Sequence, residues 1–270
     1  MSLTTALRRI AVGLFAAALV AGATTVVIVL RHHAPPPPSC SVSANAITYN
    51  LDLDQAANSS TIAAVGKRLG LPDHAVTVAL AAALQESRLH NVDYGDRDSL
   101  GLFQQRPSQG WGTAAQILTP SYAANAFFTA LARVDGWESL PVTVAAQKVQ
   151  RSAAPDAYAQ WETEARTLAS ALTGETAAGL TCRFSLQRSH VAAPQFTDAL
   201  GHELGVSSLD APVPASRGWT VASWLVGHAQ EYRVTTVSFQ GQEWKASSGK
   251  WRATTTSDAR VRVVQQAPAT

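Results

Sequence analysis

Between Ile10 and Leu30 the chain runs for 21 residues without a charge, the most polar members being Thr24 and Thr25. Wound as a helix at about 1.5 Å per residue, this segment spans roughly 30 Å, the hydrocarbon thickness of a bilayer. A chain that begins this way is expected to fold its remainder on one side of a membrane. Arg8 and Arg9 precede the run and Arg31 follows it, and the heavier basic flank stays in the cytoplasm. Residues 1–9 therefore read as cytoplasmic, 10–30 as a single-pass transmembrane anchor, and the rest as an extracytoplasmic body. Ala21-Gly22-Ala23 also has the small-residue pattern of a signal-peptidase site, and cleavage near Ala23 would secrete the body instead of anchoring it.

The same three arginines explain the net charge. The sequence holds 21 Lys plus Arg against 19 Asp plus Glu, a formal net of +2, yet from residue 34 onward 18 basic side chains face 19 acidic ones. A body so near neutrality, without a basic run, excludes a nucleic-acid binder that relies on neutralising phosphates and argues against any strongly electrostatic partner. One span excludes a transport pathway, and 46% hydrophobic residues suffice for a core. Pro35 to Pro38 form a stiff polyproline spacer within a linker over 31–47. His32 and His33 beside it lack Cys, Asp or Glu neighbours and read as a solvated flank; no metal and no cofactor are expected.

The two cysteines, Cys40 and Cys182, are expected to pair in an exported chain. Such a staple marks off a unit, here a domain over 48–182 followed by a smaller one over 183–270. Inside the first, the pattern is helical. Residues 53–69 read as a helix stopped by Gly70-Leu71-Pro72, and Asp73 is expected to cap a second. From Ala75 to Leu84 every residue but Thr77 is apolar, so this helix should be buried on all sides. Thr119-Pro120 starts a third helix, and two more are expected at roughly 141–152 and 155–172. Between the second and third lies a loop rich in Asp, Gly, Ser and Gln, where function is most readily carried.

Glu86 ends the apolar helix. A carboxylate there meets the negative end of the helix dipole in poorly hydrated surroundings, which suits a general acid. The alternative is that the helix frays at Leu84 and Glu86 is solvated or paired with Arg88. Thirteen residues on comes Ser99-Leu100-Gly101-Leu102-Phe103-Gln104. Together with Glu86-Ser87, this resembles the lytic transglycosylase and goose-type lysozyme superfamily, whose pattern is Glu-Ser followed by Ser-x-Gly-Leu-Met-Gln; Phe103 stands where Met is usual. Pro120 and Asn125 resemble the family's Pro-x-x-Asn stretch. QESRLHNVDYGDRDSLGLFQQRPSQGWG with AAQKVQRSAAPDAYAQ is similar to a group of exported actinobacterial lysozyme-like proteins. The resemblance covers about 51–174.

The resemblance implies a mainly α, lysozyme-like domain of the α+β class that cleaves the β-1,4 bond of peptidoglycan strands. Glu86 would donate the proton to the leaving oxygen. In lytic transglycosylases the same Glu then acts as base while the sugar's 6-hydroxyl closes a 1,6-anhydro ring. A hydrolase needs a second carboxylate, for which Asp93, Asp96 and Asp98 are candidates, though all three also fit a turn. Ser99 and Gln104 would hydrogen-bond Glu86 or acetamido groups, and Gly101 would let the backbone approach a sugar. Tyr94 and Trp111 would stack on sugar rings, or Trp111 closes the loop against the core. The family's late Ala-Tyr-Asn stretch is absent: Ala145-Ala146-Gln147-Lys148-Val149-Gln150 stands in its place. Gln147 or Gln150 substitutes for that Tyr, or Tyr158 reaches in from the next helix.

Beyond Cys182 a short helix over 195–204 and an amphipathic one over 219–232 precede strand-like runs at 234–239, 243–247 and 259–264. This reads as a small α/β domain for glycan or partner binding, its protein partners left open. His228 and Glu231, three apart, read as a pair on a solvated face. Two functions follow: a membrane-anchored peptidoglycan lytic transglycosylase or muramidase, or a lysozyme-fold module that binds glycan or scaffolds the cell wall without turnover.

Overall fold

A computed structural model describes residues 37–154, 156–187 and 189–269. The expected anchor over 10–30 lies outside the described residues, among which no helix is long and apolar enough to cross a membrane. The described body is mixed α and β, with eight α-helices and two small antiparallel sheets among the described residues.

Strands β1 (Ser39–Ala44) and β2 (Ile47–Leu51) open the body, where a linker was expected. They lead into α1 (Leu53–Arg68), whose start is fixed by a reciprocal cap: Asp52 Oδ1 accepts from the Gln55 amide at 2.8 Å, and Gln55 Oε1 accepts from the Asp52 amide at 3.0 Å. Helix α2 (Asp73–Ser87) is the central one, and every residue from Ala75 to Leu84 is buried. The one polar residue there, Thr77, turns its hydroxyl back onto the Asp73 carbonyl at 3.0 Å, so no polar group is left without a partner in that stretch. Asp73 does not cap the helix. Pro72 occupies the cap position, and the Asp73 carboxylate instead pairs with Lys67 Nζ at 2.9 Å.

A short helix α3 (Ala114–Ile117) closes the motif loop and precedes α4 (Pro120–Leu131), which begins with Pro in its first turn as expected. Helix α5 (Val142–Gln150) follows. The helix expected from residue 155 starts only at Glu162: α6 (Glu162–Leu172) is preceded by a turn and a 3-10 segment, Ala159–Trp161. Strand β3 (Leu180–Arg183) then returns to β1, giving the order β2-β1-β3. Cys40 and Cys182 stand directly opposite each other in the β1/β3 pair and form the expected disulfide.

After β3 come α7 (Thr197–Leu204) and α8 (Ala215–Gly227), then β4 (Val234–Phe239), β5 (Gln242–Lys245), β6 (Lys250–Ala253) and β7 (Arg262–Gln265), with sheet order β6-β5-β4-β7. Gln240 and Gly241 both take positive φ and make the tight β4–β5 turn. This segment packs into the first with hydrogen bonds across the junction. Trp244 Nε1 donates to the Cys182 carbonyl at 3.0 Å, Trp251 Nε1 to the Leu180 carbonyl at 2.8 Å, and Ser223 Oγ to the Ala171 carbonyl at 3.1 Å. Residues 38–270 accordingly form one compact unit.

Candidate active site

Glu86 lies in the last turn of α2 and is half-buried. The helix does not fray before it. Arg88 and Leu89 both adopt left-handed φ, and the Leu89 amide donates back to the Ala83 carbonyl at 3.2 Å, which closes the helix as a capping motif does. The fully buried Leu89 side chain anchors that reversal. Arg88 does not pair with Glu86: its guanidinium sits 4.0 Å from the ring centre of Trp161.

The Glu86 carboxylate is held by Tyr158, whose hydroxyl donates to Oε1 at 2.7 Å. Tyr158 is fully buried, and burial first, then its bond to Glu86, pushes its hydroxyl well above the usual phenol range. It therefore stays a donor throughout ordinary pH. Of Gln147, Gln150 and Tyr158, Tyr158 is the one that reaches Glu86. Gln147 donates to the Ser152 carbonyl at 2.8 Å and Gln150 to the Phe103 carbonyl at 2.8 Å, so both brace backbone.

Residues beside Glu86 fix the segment that carries Tyr158. Gln85 Oε1 accepts from Trp161 Nε1 at 2.7 Å and from Gln160 Nε2 at 3.1 Å, while Arg88 covers the Trp161 ring. Gln85 and Trp161 had no signal in the sequence, since their meeting spans 76 residues.

On the other side, Ser87 Oγ donates to the Leu102 carbonyl at 2.8 Å and ties the motif loop to the helix end. The loop is closed by a bridge between Leu100 and Gln105, and Gln105, buried and not expected, donates from Nε2 to the Ala123 carbonyl at 3.1 Å. Gly101 has φ 73°, and a Cβ there would lie 2.8 Å from the Ile117 carbonyl. Its lack of a side chain thus answers packing inside the loop. Ser99 is buried. Gln104 Nε2 lies 3.3 Å from the Tyr94 and Gly101 carbonyls, so its amide serves the loop and not Glu86.

The three aspartates separate clearly. Asp98 accepts from Arg106 Nε and the Ser108 amide, each at 2.8 Å, and from Ser108 Oγ at 3.0 Å. The Arg106 bond and then the Ser108 bonds hold its carboxyl well below the usual carboxylate range. Asp98 is the turn former. Asp93 and Asp96 are exposed, Asp96 lying 3.9 Å from Arg97. Tyr94 is 71% exposed and available for stacking. Trp111 packs one side on the core and with the rest lines a cleft of about 850 Å³. That cleft also takes in Gln150, which links it through Phe103 to the loop that Ser87 ties to α2.

A second cavity, about 440 Å³, lies elsewhere and holds Asp54, His90, Glu203, His228 and Glu231. His228 is not on a solvated face. It is buried because the end of α8 rests on α1: its Nε2 is 3.1 Å from Thr61 Oγ1 and its Nδ1 is 3.2 Å from Glu231 Oε2. Glu203 Oε2 completes the network, accepting from Thr61 Oγ1 at 2.8 Å and Trp224 Nε1 at 2.7 Å. Nearby, Asp52, Asp54 and His90 bring possible ligand atoms within 4.8 Å of one another, but both acids are exposed and Asp52 is engaged in capping α1. A comparison with protein-family models and one with curated proteins each found no match for the chain.

Proposed function

We propose that this protein is an extracytoplasmic, membrane-anchored enzyme that cleaves the β-1,4 bond of peptidoglycan strands, with Glu86 as general acid and base. The observation that carries this reading is the Tyr158 hydroxyl on Glu86 Oε1. A donor that does not titrate at ordinary pH holds one oxygen, and among the described residues Oε2 has no hydrogen-bond partner, which leaves it to exchange a proton with a substrate. The disulfide supports an extracytoplasmic body.

In the reaction, Glu86 protonates the leaving glycosidic oxygen as the bond breaks through an oxocarbenium-like state. The resulting carboxylate, held by Tyr158, then takes the proton of the sugar's 6-hydroxyl as that oxygen closes on the anomeric carbon. Asp98, engaged with Arg106 and Ser108, is a poor base for a water, and Asp93 and Asp96 are solvent-exposed, which supports the transglycosylase outcome over hydrolysis.

The test is digestion of purified sacculi with the full chain in detergent. Wild type is expected to release soluble muropeptides and Glu86→Gln none; release by neither defeats the enzyme reading and leaves glycan binding without turnover.

A further inference from the structure

We infer that the 850 Å³ cleft is a subsite for the carboxylates of a peptide stem borne by the glycan, read by Arg133, Lys148 and Arg151. This rests on the peptidoglycan reading above and adds which form of the strand the site selects. Arg133 follows α4, while Lys148 and Arg151 sit at the end of α5, and all three line the cleft, which has no acidic residue among its described lining. None of the three takes part in an ion pair among the described residues. The body as a whole carries 18 basic against 19 acidic side chains from residue 34. Three unpaired cations in one acid-free depression are therefore a local segregation of charge in a molecule that is otherwise balanced, and such a depression concentrates anions.

The rest of the lining identifies what kind of anion. Trp111, Tyr122 and Asn125 share the cleft with the cations. Gly112 at φ 133° lies against Tyr122, where a Cβ would come within 2.7 Å of the hydroxyl, so the loop presses its backbone onto the ring. Aromatic rings with an amide suit a sugar face and an acetamido group. The substituent that adds several carboxylates at one point of a neutral sugar chain is a peptide stem. A muramyl lactyl group offers one carboxylate per disaccharide, too few to engage three cations gathered in one cleft. One loop ties the cleft wall to the end of α2: Gln150, which lines the cleft, donates to the Phe103 carbonyl, and Ser87 donates to the Leu102 carbonyl beside it.

The test is binding to the full-length Glu86→Gln protein in detergent, without turnover. Three probes are compared: peptide-bearing strands, the same strands stripped by an amidase so that only lactyl carboxylates remain, and neutral chito-oligosaccharides. The expected result is a preference for peptide-bearing over stripped strands on the order of tenfold, as a few exposed cation–carboxylate contacts supply. Raising the salt should shrink it. Adding Arg133→Gln, Lys148→Gln and Arg151→Gln should abolish the preference, and the exchange Arg133→Lys, Lys148→Arg, Arg151→Lys should keep it. Equal binding of stripped and peptide-bearing strands overturns the inference, as does a preference that survives the Gln substitutions. Failure to bind any of the three glycans instead defeats the peptidoglycan reading itself.

Discussion

The Tyr158 hydroxyl reaches across 72 residues of chain to donate a 2.7 Å hydrogen bond to Glu86. The two meet because α2 ends at Ser87 and the turn before α6 is fastened to that end through Gln85 and Trp161. Tyr158→Phe removes the donor and keeps the buried ring. It is expected to lower kcat on the order of 10²-fold, the usual effect of losing one preorganised donor, with KM little changed and the fold intact by circular dichroism.

The same residue makes an alkaline prediction. The Tyr158 hydroxyl is raised above its ordinary value of 10.0, by burial first and then by Glu86, and the Tyr232 hydroxyl by burial first and then by Glu231. A group whose folded-state pKa is raised contributes stability that is complete below the unfolded value and is lost as pH rises through the folded one. Wild-type stability in urea should therefore fall as the pH climbs beyond about 10, and Tyr158→Phe should fall less over the same window.

Asp98 separates the two carboxylate chemistries. Its carboxyl is held low by Arg106 and Ser108, so its contribution to stability is present above the unfolded value of 3.8 and fades as pH falls through the folded one. Asp98→Asn should leave activity within a few-fold of wild type at neutral pH, against a loss on the order of 10³-fold for Glu86→Gln. A comparable loss in both, with the fold retained, would assign Asp98 a chemical role.

The β1/β3 staple closes 142 residues of chain. On the chain-entropy model, Cys40→Ser with Cys182→Ser should cost about 4 to 5 kcal/mol in urea unfolding. Reductant should reproduce that loss in wild type and leave the double variant unchanged.

His228→Ala leaves Thr61 and Glu231 without their imidazole contact and opens space beside Trp224. The cost should be about 1 to 3 kcal/mol, with specific activity per folded molecule unaffected, which denaturation and a titrated assay would measure together.

Local signals in the sequence carried the helices well. Gly70-Leu71-Pro72 and Thr119-Pro120 punctuate them as they do in the structure, and the apolar run Ala75–Leu84 marks the central one. What depended on distant partners was not legible. Ser39–Ala44 follows a proline run and is a central strand because Ile47–Leu51 pairs with it on one side and Leu180–Arg183, far along the chain, on the other. Lys250–Ala253 is four residues long, with no buried face of its own to announce it. His228 looked like a surface residue because its spacing with Glu231 says nothing of α1 lying above it. The near-neutral total likewise concealed Arg133, Lys148 and Arg151, which are scattered in sequence and gathered only by folding.

The central claim is that Glu86, pinned by Tyr158, serves as both acid and base without a second carboxylate. Mass spectrometry of the ends released from sacculi by the wild-type protein tests it most directly. The account requires 1,6-anhydromuramyl ends, absent with Glu86→Gln; reducing ends from the wild type would contradict it.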